Sequence, residues 1–313
     1  MVMLKHHGRI KIIGVGGGGG NTINHMINEG MTGVEFYAAN TDTQALIHNL
    51  SPNKIKLGTS IAKGFGAGAN PKVGEQAAIE SRVEIKKALT GSDMVFITSG
   101  MGGGTGTGAS KIIAEIARGM DIVTVGVVTM PFSFEGQRRI TIAQAGLNEL
   151  KKNVNSLMVI PNDKLKKTLG SKAKLLDAFN VANDVLYSAI SSITGIIRHP
   201  GHINVDFADV KTIMKTPGFA IMGTGIASGN DRAALAVDRA ISSELLEDIN
   251  LSNAKGLLVC VTSGKDVTLG EFAEIGDILN SIADENAPII IGTAVESILK
   301  NSLKVSVVAT GLD

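Results

Sequence analysis

Short apolar runs alternate with amphipathic stretches along the first half of the chain. Runs of strand length occupy 10–15, 34–39, 94–99 and 122–128, while helical spacing begins at Asn21, near 74–89 and at Ala109. Strands that alternate with helices are typical of parallel βαβ units joined by right-handed crossovers. The pattern therefore predicts an α/β fold with a parallel sheet.

The second half opens with a long helical pattern. Apolar residues at helical spacing continue from 173 to 197, and the pattern ends at the break formed by Pro200 and Gly201. Strands are then predicted at 219–227, 256–261, 289–291 and 305–310, with helices at 230–247 and 269–283. We expect a larger domain over 1–174, a connecting helix over 175–199 and a smaller α/β domain over 200–313.

Two glycine-rich loops each follow a predicted strand and precede a predicted helix. They occupy 14–20 and 100–108. Glycine allows the backbone to approach a ligand closely, and backbone N–H groups at a helix N-terminus bind anions. Ligands of parallel sheets bind at the carboxyl ends of the strands, where both loops fall. The two loops predict a site that holds one polyphosphate between them.

The first loop also matches the dinucleotide-binding pattern. Gly14, Gly16 and Gly19 have the G-x-G-x-x-G spacing, and Asp42 follows beyond the next strand. Alone, this pattern favours a nicotinamide or flavin oxidoreductase, but that hypothesis leaves the second loop unused. No Walker A sequence occurs in the chain. Phosphate contacts are therefore expected from backbone amides, hydroxyls and a metal ion.

Composition narrows the class of protein. The 313 residues are 44% hydrophobic and 19% charged with a net charge of +1, which favours a globular protein and argues against a nucleic-acid surface. No apolar run approaches the roughly 20 residues of a membrane span, and the N-terminus has no apolar signal core, so we expect a cytoplasmic protein.

The one cysteine, Cys260, lies in a predicted strand and is expected in the core. The histidines lack metal-ligand spacing, so no protein metal site is predicted.

Several segments together resemble one family. The 100–108 loop resembles the tubulin signature in its bacterial form, and 40–44, 131–139 and 204–209 are similar to segments of the same family. From about residue 10 to the end, the chain resembles the FtsZ family of bacterial tubulin-like cell-division GTPases. Several motifs of one family in the right order identify that family far more specifically than one glycine pattern does.

The resemblance implies a fold, an activity and an assembly. The fold would be tubulin/FtsZ-like, with a Rossmann-like GTP-binding domain, a long central helix and a smaller C-terminal domain with a catalytic loop at 200–209. The chain would bind and hydrolyse GTP, with Mg²⁺ held through the phosphates and water. Subunits would join head to tail into the filaments of the cytokinetic ring at mid-cell, because a heterologous contact that does not close generates filaments.

The resemblance also assigns the nucleotide contacts. The phosphates would meet a set of glycine-loop residues, namely Gly16, Gly17, Gly18, Asn21, Gly104, Thr105, Gly106, Thr107 and Gly108. The γ-phosphate would be sensed by Ala67, Gly68 and Ala69. The nucleoside side would comprise Thr129, Glu135, Arg139, Asn162, Phe179 and Asn183, with guanine stacked on Phe179 and its edge bound by Asn183. Plainer interpretations make Thr105 and Thr107 helix caps and Phe179 a core residue.

An acidic group follows the long helix. Asp206 and Asp209 are three residues apart and face the same side of any helix that starts there. A structural interpretation makes Asp206 an N-cap and Asp209 a partner of the helix dipole. By the resemblance, Asn204, Asp206 and Asp209 complete the active site of the next subunit and polarise the attacking water. Their presence argues against a relative that binds GTP without hydrolysing it.

Two positions depart from the family pattern at the expected contacts. Met130 stands where a basic residue is usual, and His202 stands where an apolar residue is common. The sequence ends at Asp313, before the linker and peptide with which the family docks membrane anchors and regulators. We therefore expect either a piece of a longer protein or a shortened relative that cannot recruit those partners in the usual way, with a second copy of the chain as the main partner.

Overall fold

The computed structural model describes residues 8–170, 173–198, 203, 205–246, 249–296 and 299–312. The chain divides into two compact units. The first is Arg9–Ile190, and the second comprises the described residues from Ser191 onward together with Gly8. Among the helices that the structure describes, none is long and apolar enough to cross a membrane.

The first unit contains a parallel sheet with strand order β3-β2-β1-β4-β5-β6. Its strands are β1 Ile10–Val15, β2 Glu35–Asn40, β3 Asn53–Lys56, β4 Met94–Gly100, β5 Val123–Met130 and β6 Ser156–Pro161. Its helices are α1 Gly16–Asn28, α2 Thr43–Ile47, α3 Pro71–Glu80, α4 Arg82–Leu89, α5 Thr105–Arg118, α6 Gln137–Asn153 and α7 Asn162–Leu169. The long helix α8, Leu175–Arg198, begins in this unit and ends in the second.

The central strand β1 is buried along its whole length, as expected for a parallel strand covered on both faces. Its one charged residue, Lys11, is only 5% exposed. The ammonium group donates to the carbonyl oxygens of Ala88 at 2.7 Å and Thr90 at 3.0 Å, at the end of α4. The buried charge is thereby paired with the negative end of a helix dipole.

The second unit is built on a mixed sheet with strand order β7-β10-β8-β9. Its elements are α9 Phe207–Met214, β7 Gly218–Ser228, α10 Arg232–Ile241, β8 Gly256–Ser263, α11 Leu269–Ile282, β9 Ile289–Val295 and β10 Ser302–Leu312. β10 runs antiparallel to β7 and β8, while β8 and β9 are parallel. Cys260 is 3% exposed in β8, which confirms its predicted place in the core, and burial raises the pKa of its thiol.

Several predicted helix bounds were wrong. α1 begins at Gly16 and α5 at Thr105, earlier than the predicted starts at Asn21 and Ala109. The predicted helix near 74–89 is two helices that meet at Ser81, and α10 ends at Ile241 rather than at 247. Glycine has the lowest helix propensity after proline, so the sequence predicts loops for the glycine runs. In the structure, 16–20 form the beginning of α1 and 105–108 form the first turn of α5.

Candidate nucleotide site

A cavity of about 390 Å³ lies at the carboxyl ends of β1, β4 and β5. All of its lining residues belong to the first unit. Those predicted from the sequence are Gly17, Gly18, Asn21, Gly104, Thr105, Gly106, Thr129, Glu135, Arg139, Asn162, Phe179 and Asn183. The structure thus brings together residues from both glycine loops and from α8.

Two helices begin at the cavity without a side-chain cap. In the described part of the chain, neither the start of α1 nor that of α5 donates a backbone N–H to a capping side chain, and neither first turn contains an acidic residue. The first backbone N–H groups of a helix have no partner within the helix, and the helix dipole adds partial positive charge there. Two such starts at one cavity make an anion site suited to phosphates.

The two glycine loops contact each other directly. Gly16 has a φ of +72°, and a Cβ placed on it would lie 2.8 Å from the backbone nitrogen of Gly106. A larger residue would strain the backbone and separate the loops. Gly16 is absent from the cavity lining, so in this structure it shapes the site by close approach.

Two further predicted contacts lie behind the cavity. The Thr107 hydroxyl accepts a hydrogen bond from the Gly102 N–H at 2.9 Å and is buried. A Cβ on Gly108 would lie 2.0 Å from the Pro71 carbonyl oxygen, so this glycine allows α3 to pack on α5. By contrast, Thr105 lines the cavity, with its hydroxyl 2.6 Å from that of Thr41.

The 64–71 segment packs beside the second loop. Ala67 is buried, and its Cβ would lie 2.8 Å from a Cβ placed on Gly104. Gly68 and Ala69 are exposed with φ values of +57° and +55°. None of the three lines the cavity. The segment therefore reaches the phosphate end of the site through Gly104.

Aromatic and amide side chains form the other end of the cavity. Phe179 and Asn183 lie one turn apart on α8, and Phe179 is 39% exposed, which argues against a core role. The Phe132 ring packs edge-to-face on Phe179, with centroids 5.4 Å apart. Asn162 is 4% exposed, and its Oδ1 has no hydrogen-bond partner among the described residues. A buried acceptor without a partner is costly, so it marks a place for a ligand donor.

A charged pair closes one side of the cavity. Glu135 and Arg139 form an ion pair four residues apart, and Glu135 also accepts a hydrogen bond from the Phe132 N–H at 2.9 Å. The Arg139 side chain is 53% exposed. The pair holds the guanidinium at the cavity, where it can meet ribose or phosphate oxygens.

The acidic group belongs to the second unit. Asp206 is the N-cap residue of α9, and its backbone N–H donates to the Asp209 carboxylate at 3.3 Å. Both side chains are exposed. Asn204 and His202 lie outside the described residues. The structural interpretation of Asp209 as a helix-start residue is thus realised, and both carboxylates remain accessible from solvent.

Asp42 caps a helix and does not line the cavity. Its carboxylate accepts hydrogen bonds from the N–H groups of Gln44 at 2.8 Å and Ala45 at 3.3 Å, and so caps α2. The dinucleotide pattern requires this carboxylate for a ribose hydroxyl. Its capping role removes the main support for an oxidoreductase. No group of three potential metal ligands among His, Cys, Asp and Glu occurs within the described ranges.

The comparisons with known proteins decide the family. The model of the Tubulin/FtsZ family GTPase domain matches residues 9–170, and that of the FtsZ family C-terminal domain matches 218–313. The chain belongs to the FtsZ family. Cell division protein FtsZ of Pseudomonas aeruginosa is 54% identical over 303 residues, which cover 97% of this chain and 77% of that protein. FtsZ of Buchnera aphidicola subsp. Schizaphis graminum is 52% identical over 311 residues, which cover 99% of this chain and 81% of that protein.

Solved structures of FtsZ also match this chain. The empty FtsZ dimer of M. jannaschii matches with a TM-score of 0.91 and 44% identity, covering 97% of this chain and 88% of that one. The GTPγS-bound protofilament of CetZ2 from Haloferax volcanii, at 18% identity and a TM-score of 0.81, shows the fold alone. The predicted family, tubulin/FtsZ fold class and GTPase activity are confirmed. Polymerisation and cell division are the functions of this family.

Part of the cavity lining was not predicted from the sequence. Ala182 and Leu186 also line the cavity and lie three and seven residues beyond Phe179 on α8. Helical spacing from Phe179 would have found both. Thr22 lines the cavity as well and contacts Asn183, but a contact across 161 positions leaves no local sequence signal.

Proposed function

We propose that this chain binds GTP in the cavity and that hydrolysis is completed by the acidic start of α9 from the next subunit. One observation carries the proposal. Among the described residues that line the cavity, Glu135 is the one carboxylate, and it is paired with Arg139. The cavity therefore offers binding groups for a nucleotide without a free carboxylate to orient water.

The phosphates are assigned to the uncapped starts of α1 and α5. Their N–H groups, with the Thr105 hydroxyl, supply donors for the polyphosphate chain. Mg²⁺ would be held by phosphate oxygens and water, since it keeps several waters in nucleotide sites. Its role would be to neutralise charge that develops on the phosphates.

The base is assigned to α8. The half-exposed Phe179 ring supports stacking, and Asn183 and Asn162 offer amide groups to the base edge and the nucleoside. The Oδ1 of Asn162, which has no hydrogen-bond partner in the described part of the chain, would gain a donor when nucleotide binds. Glu135 and Arg139 would contact ribose and the adjoining phosphate.

The attacking water is assigned to Asp206 and Asp209, and to Asn204, two positions before Asp206 in the sequence. Exposed carboxylates can polarise a water for in-line attack on the γ-phosphate when a second subunit brings its cavity to them. Each subunit is then catalytically incomplete alone. Hydrolysis follows polymerisation, and loss of the γ-phosphate changes the contact and allows turnover.

In the cell, the chain would act in the cytoplasm at the mid-cell division site, as a head-to-tail polymer with itself. The family relatives are cell division proteins, which supports this placement. Division regulators and membrane anchors would be its further partners. We propose neither nucleic-acid binding nor direct membrane insertion.

GTP turnover per molecule, measured with Mg²⁺ across a range of protein concentrations, tests this proposal. Polymer is followed by pelleting in the same samples. Turnover should be near zero below a threshold and rise with pelleted polymer. A constant rate per molecule without polymer would refute the shared site, and the absence of GTP binding would refute the nucleotide assignment.

A further inference from the structure

Side-chain contacts join α1 to α8 within the first unit. The Thr22 Oγ1 lies 2.9 Å from the Asn183 Oδ1, and the His25 Nε2 lies 2.8 Å from the Asp184 Oδ1. Thr22 and His25 are three residues apart on one face of α1. Their partners are adjacent residues on α8. The first contact lies at the cavity, because Thr22 and Asn183 both line it.

The Thr22 hydroxyl holds one end of the Asn183 amide. Thr22 is 2% exposed, and its hydroxyl lies 3.1 Å from the Gly18 carbonyl oxygen as well as 2.9 Å from Asn183. A hydroxyl has one proton, and of its two acceptors the Asn183 Oδ1 is the nearer, so we assign the proton to that contact. The NH₂ group and the second lone pair of Oδ1 remain for a ligand.

The orientation of this amide determines which purine it matches. Rotation of an asparagine side chain by half a turn exchanges its oxygen and its NH₂ group. Guanine has an acceptor at position 6 and a donor at N1, whereas adenine has a donor at position 6 and an acceptor at N1. One orientation of an amide therefore pairs with guanine, and the reversed orientation pairs with adenine.

We propose that Thr22 is a positioning residue for base specificity, which holds the Asn183 amide in the orientation that binds guanine. This inference rests on the proposed function, in which α8 binds the base. His25 also contacts α8, at Asp184 and by an edge-to-face contact with Tyr187 whose ring centroids are 6.3 Å apart, so this packing of α8 against α1 does not depend on Thr22. Removal of the Thr22 hydroxyl should therefore free the amide without moving the helix.

The substitution Thr22→Val tests the proposal, because valine has a similar shape and no hydroxyl. The affinities for GTP and ATP are measured on monomeric protein, below the assembly threshold, so that neither hydrolysis nor polymer contributes. The ratio of GTP to ATP affinity should fall by about 2- to 10-fold, the worth of one net hydrogen bond. Thr22→Ser keeps the hydroxyl and should restore most of the ratio.

Thr141→Val is the matched control. The Thr141 hydroxyl also bonds the carbonyl oxygen four residues earlier, that of Gln137 at 3.1 Å, but it lies on the exposed side of α6. This variant should keep the affinity ratio of the unaltered chain. Thermal melting without nucleotide establishes that each variant is folded. Thr22→Ala, which also lacks the hydroxyl, provides the same comparison if the valine variant does not fold.

A second comparison tests whether Thr22 acts through Asn183. In an Asn183→Ala background, Thr22→Val should leave the affinity ratio unchanged, because contacting residues are not additive. A folded Thr22→Val or Thr22→Ala protein with an unaltered ratio would overturn the proposal, as would an effect that persists without Asn183. Failure of the unaltered chain to bind GTP would contradict the proposed function instead.

Discussion

At the scale of residues, the base end of the cavity depends on how Phe179 is exposed. Its ring is fixed at one edge by Phe132, while over a third of the side chain remains accessible. An aromatic ring that is held in place and exposed at a cavity provides a stacking surface with little loss of side-chain entropy on binding.

We expect Phe179→Ala to weaken GTP binding by about 1–3 kcal/mol, the usual worth of base stacking on an aromatic side chain. The measurement is equilibrium binding of GTP to monomeric protein. Phe134→Ala is the control, since Phe134 also stacks on Phe132, at 4.9 Å, but is not part of the cavity lining. Equal losses in the two variants would show that Phe179 acts only through the aromatic cluster.

Residue types and motifs predicted much of the cavity lining, but not the residues that position the lining side chains. Phe179 and Asn183 follow from the family resemblance and lie together on α8. Thr22 has no motif, because its role exists only once α1 and α8 are packed. Conversely, Thr107 and Gly108 lie in the motif yet support the loop from behind.

At the scale of elements, the sequence predicted most strands and misplaced the helix starts that matter most. Gly16 begins α1 with a positive φ, which glycine alone adopts at little cost, and low helix propensity hid this first turn. The helix starts are important to the proposed function because their first N–H groups are the ones assigned to the phosphates. The low helix propensity of these glycines therefore conflicts with the observed helix starts, and such conflicts are expected at functional sites.

An ionic cluster joins two helices of the second unit. The Arg232 guanidinium at the start of α10 bonds the Glu271 carboxylate in the first turn of α11 and the Asp266 carboxylate, each at 2.6 Å. Arg232 is 6% exposed, so its charge depends on these partners. Hydrogen bonding to Arg232 lowers the pKa of Glu271 from 4.5 to about 2, and it lowers that of Asp266 as well.

The lowered pKa of Glu271 predicts a specific loss of stability in acid. Its contribution is fully present above about pH 4.5 and is lost as the pH falls towards 2. At neutral pH it amounts to on the order of 3 kcal/mol. Glu271→Gln should therefore be less stable than the unaltered chain at pH 6, and the difference should shrink at pH 3.

Urea unfolding followed by circular dichroism at both pH values measures this difference. Glu149→Gln is a suitable control, because Glu149 pairs with Lys152 on an exposed surface of α6, where ion pairs contribute little. A stability difference for Glu271→Gln that stays the same at pH 6 and pH 3 would show that the Arg232 pair does not supply it.

At the scale of the whole molecule, the nucleotide cavity and the acidic group belong to different units of the chain. The cavity lies within Arg9–Ile190, and Asp206 and Asp209 lie in the other unit. The strand–helix pattern predicted two α/β parts, but it could not give the mixed order of the second sheet, in which β10 lies between β7 and β8. That order depends on contacts between distant segments.

The most direct test of the account is to mix two variants that are each inactive. Gly17→Asp places a negative charge at the phosphate end of the cavity, where a Cβ meets open space. Asp209→Asn removes one carboxylate of the acidic start of α9 and leaves the cavity intact. The mixture should regain GTP turnover in pelleted polymer, because the intact cavity of one variant meets the intact acidic group of the other. Polymer in the mixture with no more turnover than the two variants measured apart would contradict an active site shared between subunits.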